Sequence, residues 1–286
     1  MSSSPAIISI AEEKVEKFYQ HHTEIKASHG WEHIRSVLDH TNKALLSLEN
    51  DKHNSSSCNG VSLNSTMTND HSLAPHIQTE IKLAALLHDV DDRKYFPNTP
   101  RGEYPNATKI LHELGFKTSS QETINQIIKM ISWVSCSENG NEVPDEVRAK
   151  NAYHLLIPRW ADRLCAVGKK GVIRCYQYTQ ESGRPLSTQA SPRPTNEEEI
   201  WSKYALPSKL DEYMQRGGTS TDMISHYYDK LFHIAKPPSD IVRNPYLERE
   251  AESLSRELVE VCLRYGKTGK VDEEYIMKLI LEEETK

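Results

Sequence analysis

The apolar run Ile81-Lys82-Leu83-Ala84-Ala85-Leu86-Leu87, closed by His88-Asp89, constrains the fold more than any other feature of the chain. A stretch this apolar predicts a buried helix, with an imidazole and a carboxylate at its mouth facing one point. The dipeptide gains meaning from its flanks. Upstream stands His29-Gly30-Trp31-Glu32-His33-Ile34-Arg35-Ser36-Val37, and downstream Trp160-Ala161-Asp162-Arg163-Leu164. His33, His88, Asp89 and Asp162 together offer two nitrogen and two oxygen donors. Such a mixed set suits Mn, Fe, Ni, Co or Mg rather than a closed zinc–thiolate site. Each residue also has a bland reading, since a histidine at a helix end serves as well as a cap or a half-buried polar group.

The rest of the chain reads as helix after helix. Apolar spacing predicts helices at Ile8 to Tyr19, Trp31 to Leu48 and Ile77 to Val90. Further helices are predicted at Asn106 to Leu114, with Gly115 as C-terminal cap, at Gln121 to Trp133, after Pro144, and from Pro158 to Val167. Ser220 to Ile234, Leu247 to Tyr265 and Asp272 to Glu283 complete the set. No strand pattern emerges, so the class is all-α, and 1–286 reads as a single domain. Asn50 to Pro75, rich in Ser, Asn, Asp and Thr, reads as a disordered surface insertion. Gly183 to Pro194 reads as a loop, either a lid or a connector. The apolar stripe from Leu247 to Cys262 is a packing face first and a homodimer surface second.

Composition excludes several classes. A net charge of -6 argues against coating of nucleic acid, which needs clustered Lys and Arg. No apolar stretch approaches a membrane span, and the first residues lack a secretory pattern. Five cysteines, with no Cys-x-x-Cys pair, fit a reduced cytoplasmic or nuclear setting. The tract from His88 to Lys94 sets acid beside the candidate metal ligands and follows it with base. That order matches phosphoester hydrolysis, in which a metal activates water, a carboxylate orients it and cations hold phosphate oxygens. Asp92 is the candidate for the carboxylate role, and Asp91 reads as a solvated helix terminus. His29 reads either as an orienting partner of His33 or as a helix cap.

The order His, His-Asp, Asp on successive helices resembles the HD-domain metal-dependent phosphohydrolases. The closest likeness is to a branch that releases pyrophosphate from deoxynucleoside triphosphates. It rests on His29 to Val37, Leu86 to Asp92, Ala161 to Gly168, Gly171 to Arg174 and His226-Tyr227-Tyr228-Asp229-Lys230-Leu231. The resemblance implies an HD-type helical bundle with long C-terminal helices. It implies one divalent ion, Mn first among Mg, Co, Ni and Fe, held by His33, His88, Asp89 and Asp162. It implies Asp92 as general base, and Arg93, Lys94, Arg163 and Arg174 as contacts to a small phosphorylated substrate such as a nucleotide. Arg163 and Arg174 have a packing role as the alternative. Trp160 and Cys165 stand where the branch often carries acids. A nucleotide-sensing module without catalysis and a two-iron oxygenase are the other readings. The absence of extra histidines between Gln126 and Trp133 favours one metal over two.

Overall fold

The computed structural model describes residues 4–54 and 73–285. Among them there is no strand, and the helix order is all-α, consistent with the HD-domain bundle expected from the sequence. The polar insertion falls largely on residues 55–72, outside the described residues. No helix among the described residues is long and apolar enough to cross a membrane.

The described residues divide into two compact units. The first comprises Met1–Val134, Val143–Asp162 and Val242–Leu247. It holds α1 (Ser4–His21), α2 (Trp31–Asn54), α3 (Pro75–Leu87), α4 (Pro105–Glu113), α5 (Gln121–Ser132), α6 (Asp145–Lys150) and most of α7 (Ile157–Leu164). At its heart is α3, packed against α1, α2 and α5. Ile81, Leu83, Ala84, Ala85, Leu86 and Leu87 are all fully buried. Gln78, Glu80 and Lys82 keep a half-buried edge, and the rest of the helix is held by its neighbours, each buried Leu or Ile contributing about 1.5–3 kcal/mol.

The α-helical ladder stops at Leu87, three residues before the Val90 that periodicity predicts. Continuing the helix would crowd the carboxylates of Asp89, Asp91 and Asp92 against the negative end of its dipole, and the chain leaves in turns. Asp92 donates its N–H to the Asp89 carbonyl at 3.1 Å. Asp91 is not the solvated residue that the sequence suggests. It is 6% exposed, and its two oxygens accept from the backbone N–H groups of Asn106 at 3.0 Å and Ala107 at 2.9 Å. It therefore satisfies the open donors at the start of α4.

The second unit comprises Ser135–Glu142, Arg163–Ile241 and Glu248–Lys286. Its main helices are α8 (Gly168–Glu181), α9 (Pro207–Gln215), α10 (Pro245–Thr268) and α11 (Glu273–Glu284), α10 starting in the first unit. A Cβ on Gly171 would lie 2.3 Å from the Ala166 backbone, so the tight entry to α8 demands glycine there. The helix expected over Ser220 to Ile234 is present over 223–235 and widens midway into a π-helical turn, Tyr227–Leu231, between Met223–His226 and Phe232–Ala235. The segment from Gly183 to Pro194 is laced down. Thr188 accepts from the Tyr265 hydroxyl at 3.3 Å, Arg193 donates to the Gly266 carbonyl at 3.2 Å, and Pro185 accepts from Met223 N–H at 3.1 Å. These bonds make it a connector rather than a lid. The stripe on α10 is buried at Leu247, Ala251, Leu258, Val261 and Cys262, as a packing face requires.

Two outcomes test this account. Asp91→Ala leaves two buried N–H groups unpaired, so urea unfolding should show a loss of about 1–3 kcal/mol. Glu80 on α3 is half-buried, and burial, then the charge of Glu122, pushes its pKa up to about 7. A raised acid favours the folded state at low pH, and that contribution disappears as pH rises through about 7. Glu80→Gln should therefore stabilise the protein at pH 8, by on the order of 1 kcal/mol after solvent screening, and have little effect at pH 4. Equal effects at both pH values would contradict the assignment.

Candidate metal centre

Four side chains of the first unit converge. His33 lies in the first turn of α2, its N–H bonded to the Gly30 carbonyl at 3.0 Å. His88 and Asp89 follow α3 directly, and Asp162 projects from α7. His33 Nε2 is 3.6 Å from Asp89 Oδ2 and 3.2 Å from Asp162 Oδ1. His88 Nε2 is 3.5 Å and 3.6 Å from the same two oxygens. Ligand atoms bound at about 2.0–2.2 Å to one ion lie about 3–3.5 Å apart, close to these imidazole–carboxylate distances. His33, His88 and Asp162 offer ligand atoms that all lie within 4.8 Å of one another, and Asp89 joins them through its contacts to the two histidines.

The surroundings fit a cation. The His33 and His88 side chains are 2% and 1% exposed, whereas Asp89 and Asp162 keep 21% and 27%. The imidazoles thus form a dry wall and the carboxylates an open rim. His88 Nδ1 donates to the Ala85 carbonyl at 2.8 Å, which leaves the Nε2 lone pair facing the carboxylates. Both Nε2 atoms are buried without a hydrogen-bond partner. Burial opposes a charge on His88, but Asp89 and then Asp162 outweigh it and push its pKa up to about 9. Burial likewise favours protonated acids, yet the imidazoles hold Asp89 and Asp162 well below the usual carboxylate range. The cluster keeps two anions and gains from a positive charge between them, which a divalent ion supplies.

Asp92 lies one turn beyond Asp89, with 17% of its side chain exposed. Burial raises its pKa, Lys94 pulls it back and Asp89 raises it further. Its Oδ1 accepts the Lys94 backbone N–H at 2.9 Å, and the Lys94 ammonium is 3.4 Å from Oδ2. Arg93 is exposed and forms no hydrogen bond or ion pair among the described residues. Arg163 is 2% exposed, its guanidinium donating to Asn141 Oδ1 at 2.7 Å and to the Gly140 carbonyl. Arg174 donates to the Cys165 carbonyl at 3.1 Å. Both arginines make packing bonds within the second unit.

Three features escape a linear reading. Tyr19 on α1 is 8% exposed, and its hydroxyl is buried without a partner in the field of Asp89 and Asp92. Arg159 on α7, 1% exposed, donates to the Trp133 carbonyl at the end of α5 at 2.7 Å and so helps to aim Asp162. His29 does not orient His33, whose Nδ1 has no partner; it meets Lys94 and Tyr95 instead. Periodicity marks Tyr19 and Arg159 only as one apolar and one charged helical position.

No protein-family model matches the chain. The uncharacterized protein L803 of Acanthamoeba polyphaga mimivirus is 35% identical over 195 residues, covering 65% of this chain and 76% of that one. Among solved structures, a Lactobacillus plantarum protein shares the fold at a TM-score of 0.57 and 17% identity, over 93% of this chain and 97% of that one. Bacillus subtilis YpgQ, solved in complex with ADP, aligns at a TM-score of 0.50 and 15% identity, over 92% and 95%.

Asp89→Ala removes one carboxylate from the rim while leaving α3 enclosed. Elemental analysis after Mn loading should find the bound metal lost, with far-ultraviolet circular dichroism unchanged. Full retention of metal would rule out Asp89 as a ligand.

Proposed function

The chain belongs to one family with mimivirus protein L803, and from the centre that its own residues build we propose that it is a metal-dependent phosphohydrolase of the HD type. The observation that carries this reading is a pair of buried imidazole nitrogens without hydrogen-bond partners, each 3.2–3.6 Å from carboxylate oxygens of Asp89 and Asp162. His33, His88, Asp89 and Asp162 would hold one divalent ion, Mn first among the choices. When bound, that ion supplies Lewis acidity toward water and phosphate.

The remaining chemistry belongs to side chains. Asp92 takes or orients the proton of the attacking water, and its raised pKa makes it a stronger base than a free carboxylate. Lys94, half-exposed beside it, meets the negative charge of the phosphate as it develops. Exposed Arg93 is free to reach a more distant phosphate of the same substrate. The substrate class we propose is a nucleoside phosphate, with release of pyrophosphate from a triphosphate as the finer reading. The ADP bound to YpgQ is in keeping with that class.

A panel of nucleoside mono-, di- and triphosphates, each with Mn, Mg, Co and Ni, tests the proposal when phosphate and pyrophosphate are measured separately. Turnover of one class supports it; no turnover of any ester with any metal would sink it. Asp92→Asn should keep the metal and lose kcat by about 100-fold or more. Loss of metal from that variant would make Asp92 a ligand instead of a base.

A further inference from the structure

We infer that His29 is a positioning residue that acts through Lys94, holding the ammonium between itself and Asp92 so that it stays available to the phosphate. The inference rests on the phosphohydrolase reading for its functional half, but its structural half stands alone.

The geometry is specific. Lys94 Nζ lies 3.1 Å from His29 Nε2 and 3.4 Å from Asp92 Oδ2. An ammonium only donates, so His29 Nε2 must be the acceptor in this contact. The ring proton is then on Nδ1, where Ser28 Oγ at 3.0 Å and the Tyr95 hydroxyl at 3.3 Å are ready to accept it. Tyr95 also braces the ring edge-on, the centroids 5.8 Å apart. His29 is thereby fixed as a neutral imidazole of one tautomer.

His29 and Asp92 both draw on this cation. Asp92 already engages Lys94 through its backbone N–H at 2.9 Å. With the ammonium shared, neither the cation nor the carboxylate is fully quenched by the other. Without His29, the long Lys94 side chain would close onto Asp92 as a simple ion pair. That collapse would make Asp92 a weaker base and withdraw the cation from phosphate. A nucleophilic or metal-binding role for His29 is not needed: its ring stands 6.4 Å from the His33 ring, centre to centre.

The test uses His29→Ala, His29→Gln and Lys94→Ala in the full chain loaded with Mn. His29→Ala should lower kcat/KM by about 10-fold, with both a higher KM and a lower kcat, and retain its metal. His29→Gln, whose side-chain oxygen can accept from Lys94, should recover most of the loss. In the Lys94→Ala background, His29→Ala should have little further effect, because both changes break the same contact. An equal loss in both backgrounds, or loss of metal from His29→Ala, would overturn the inference. A second readout needs no turnover. Long-range proton–nitrogen NMR should find His29 in the neutral Nδ1–H form, and Lys94→Ala should mix the tautomers. A tautomer indifferent to Lys94 would refute the contact. If the wild-type protein cleaved no phosphate ester yet the tautomer responded, only the phosphohydrolase reading would fail.

Discussion

Two carboxylates and two imidazoles facing each other across 3.2–3.6 Å, with the imidazole side chains almost wholly buried, form the interaction on which the first unit depends. Left alone, Asp89 and Asp162 repel each other, and their desolvation has a cost. The neighbouring imidazoles lower both acids, and the carboxylates in turn raise His88. An arrangement that stores this much negative charge at a dry wall is poorly explained as packing. Apolar residues of similar volume would be easier to bury.

The enclosure of α3 makes that arrangement possible. Its fully buried last turn, Leu83 to Leu87, is locked against the helices around it. His88 and Asp89 leave it at a fixed point, and the Ala85 carbonyl fixes the tautomer of His88 from within the last turn. His33 and Asp162 are brought to the same point by α2 and α7, which are remote in the chain. Arg159, tying α7 to the end of α5, belongs to this scaffold as much as any leucine does.

How much of this could be read beforehand depended on whether the signal was periodic. The buried α3 declares itself through an apolar run, and α2, α5, α10 and α11 through helical spacing. The four convergent residues were legible as types in an order. The end of α3 has no periodic signal, since apolar spacing runs on to Val90. The π-helical turn at Tyr227–Leu231 leaves no composition mark. The helices Gly168–Glu181 and Pro207–Gln215 are faint in the sequence because their apolar faces are short and interrupted. Asp91, Arg159 and Lys94 act on partners 15, 26 and 65 residues away, separations at which sequence patterns carry no register.

The tract after α3 shows best why residue type alone underdetermines role. Asp89, Asp91 and Asp92 stand within four positions, yet each meets its charge differently. Asp89 faces two imidazoles and is held strongly acidic. Asp91 turns to the N–H groups of α4 and is buried for good. Asp92 meets the shared Lys94, burial outweighs it, and its pKa rises. A fully paired carboxylate makes a poor base, and a capping one cannot leave its helix. Of the three, Asp92 is the one that pairs a raised pKa with an exposed edge, which is the condition the proposed proton-transferring group must meet. The division of labour among identical side chains is therefore set by what each finds opposite it, and a turn in place of a fourth helical residue is what points them in three directions.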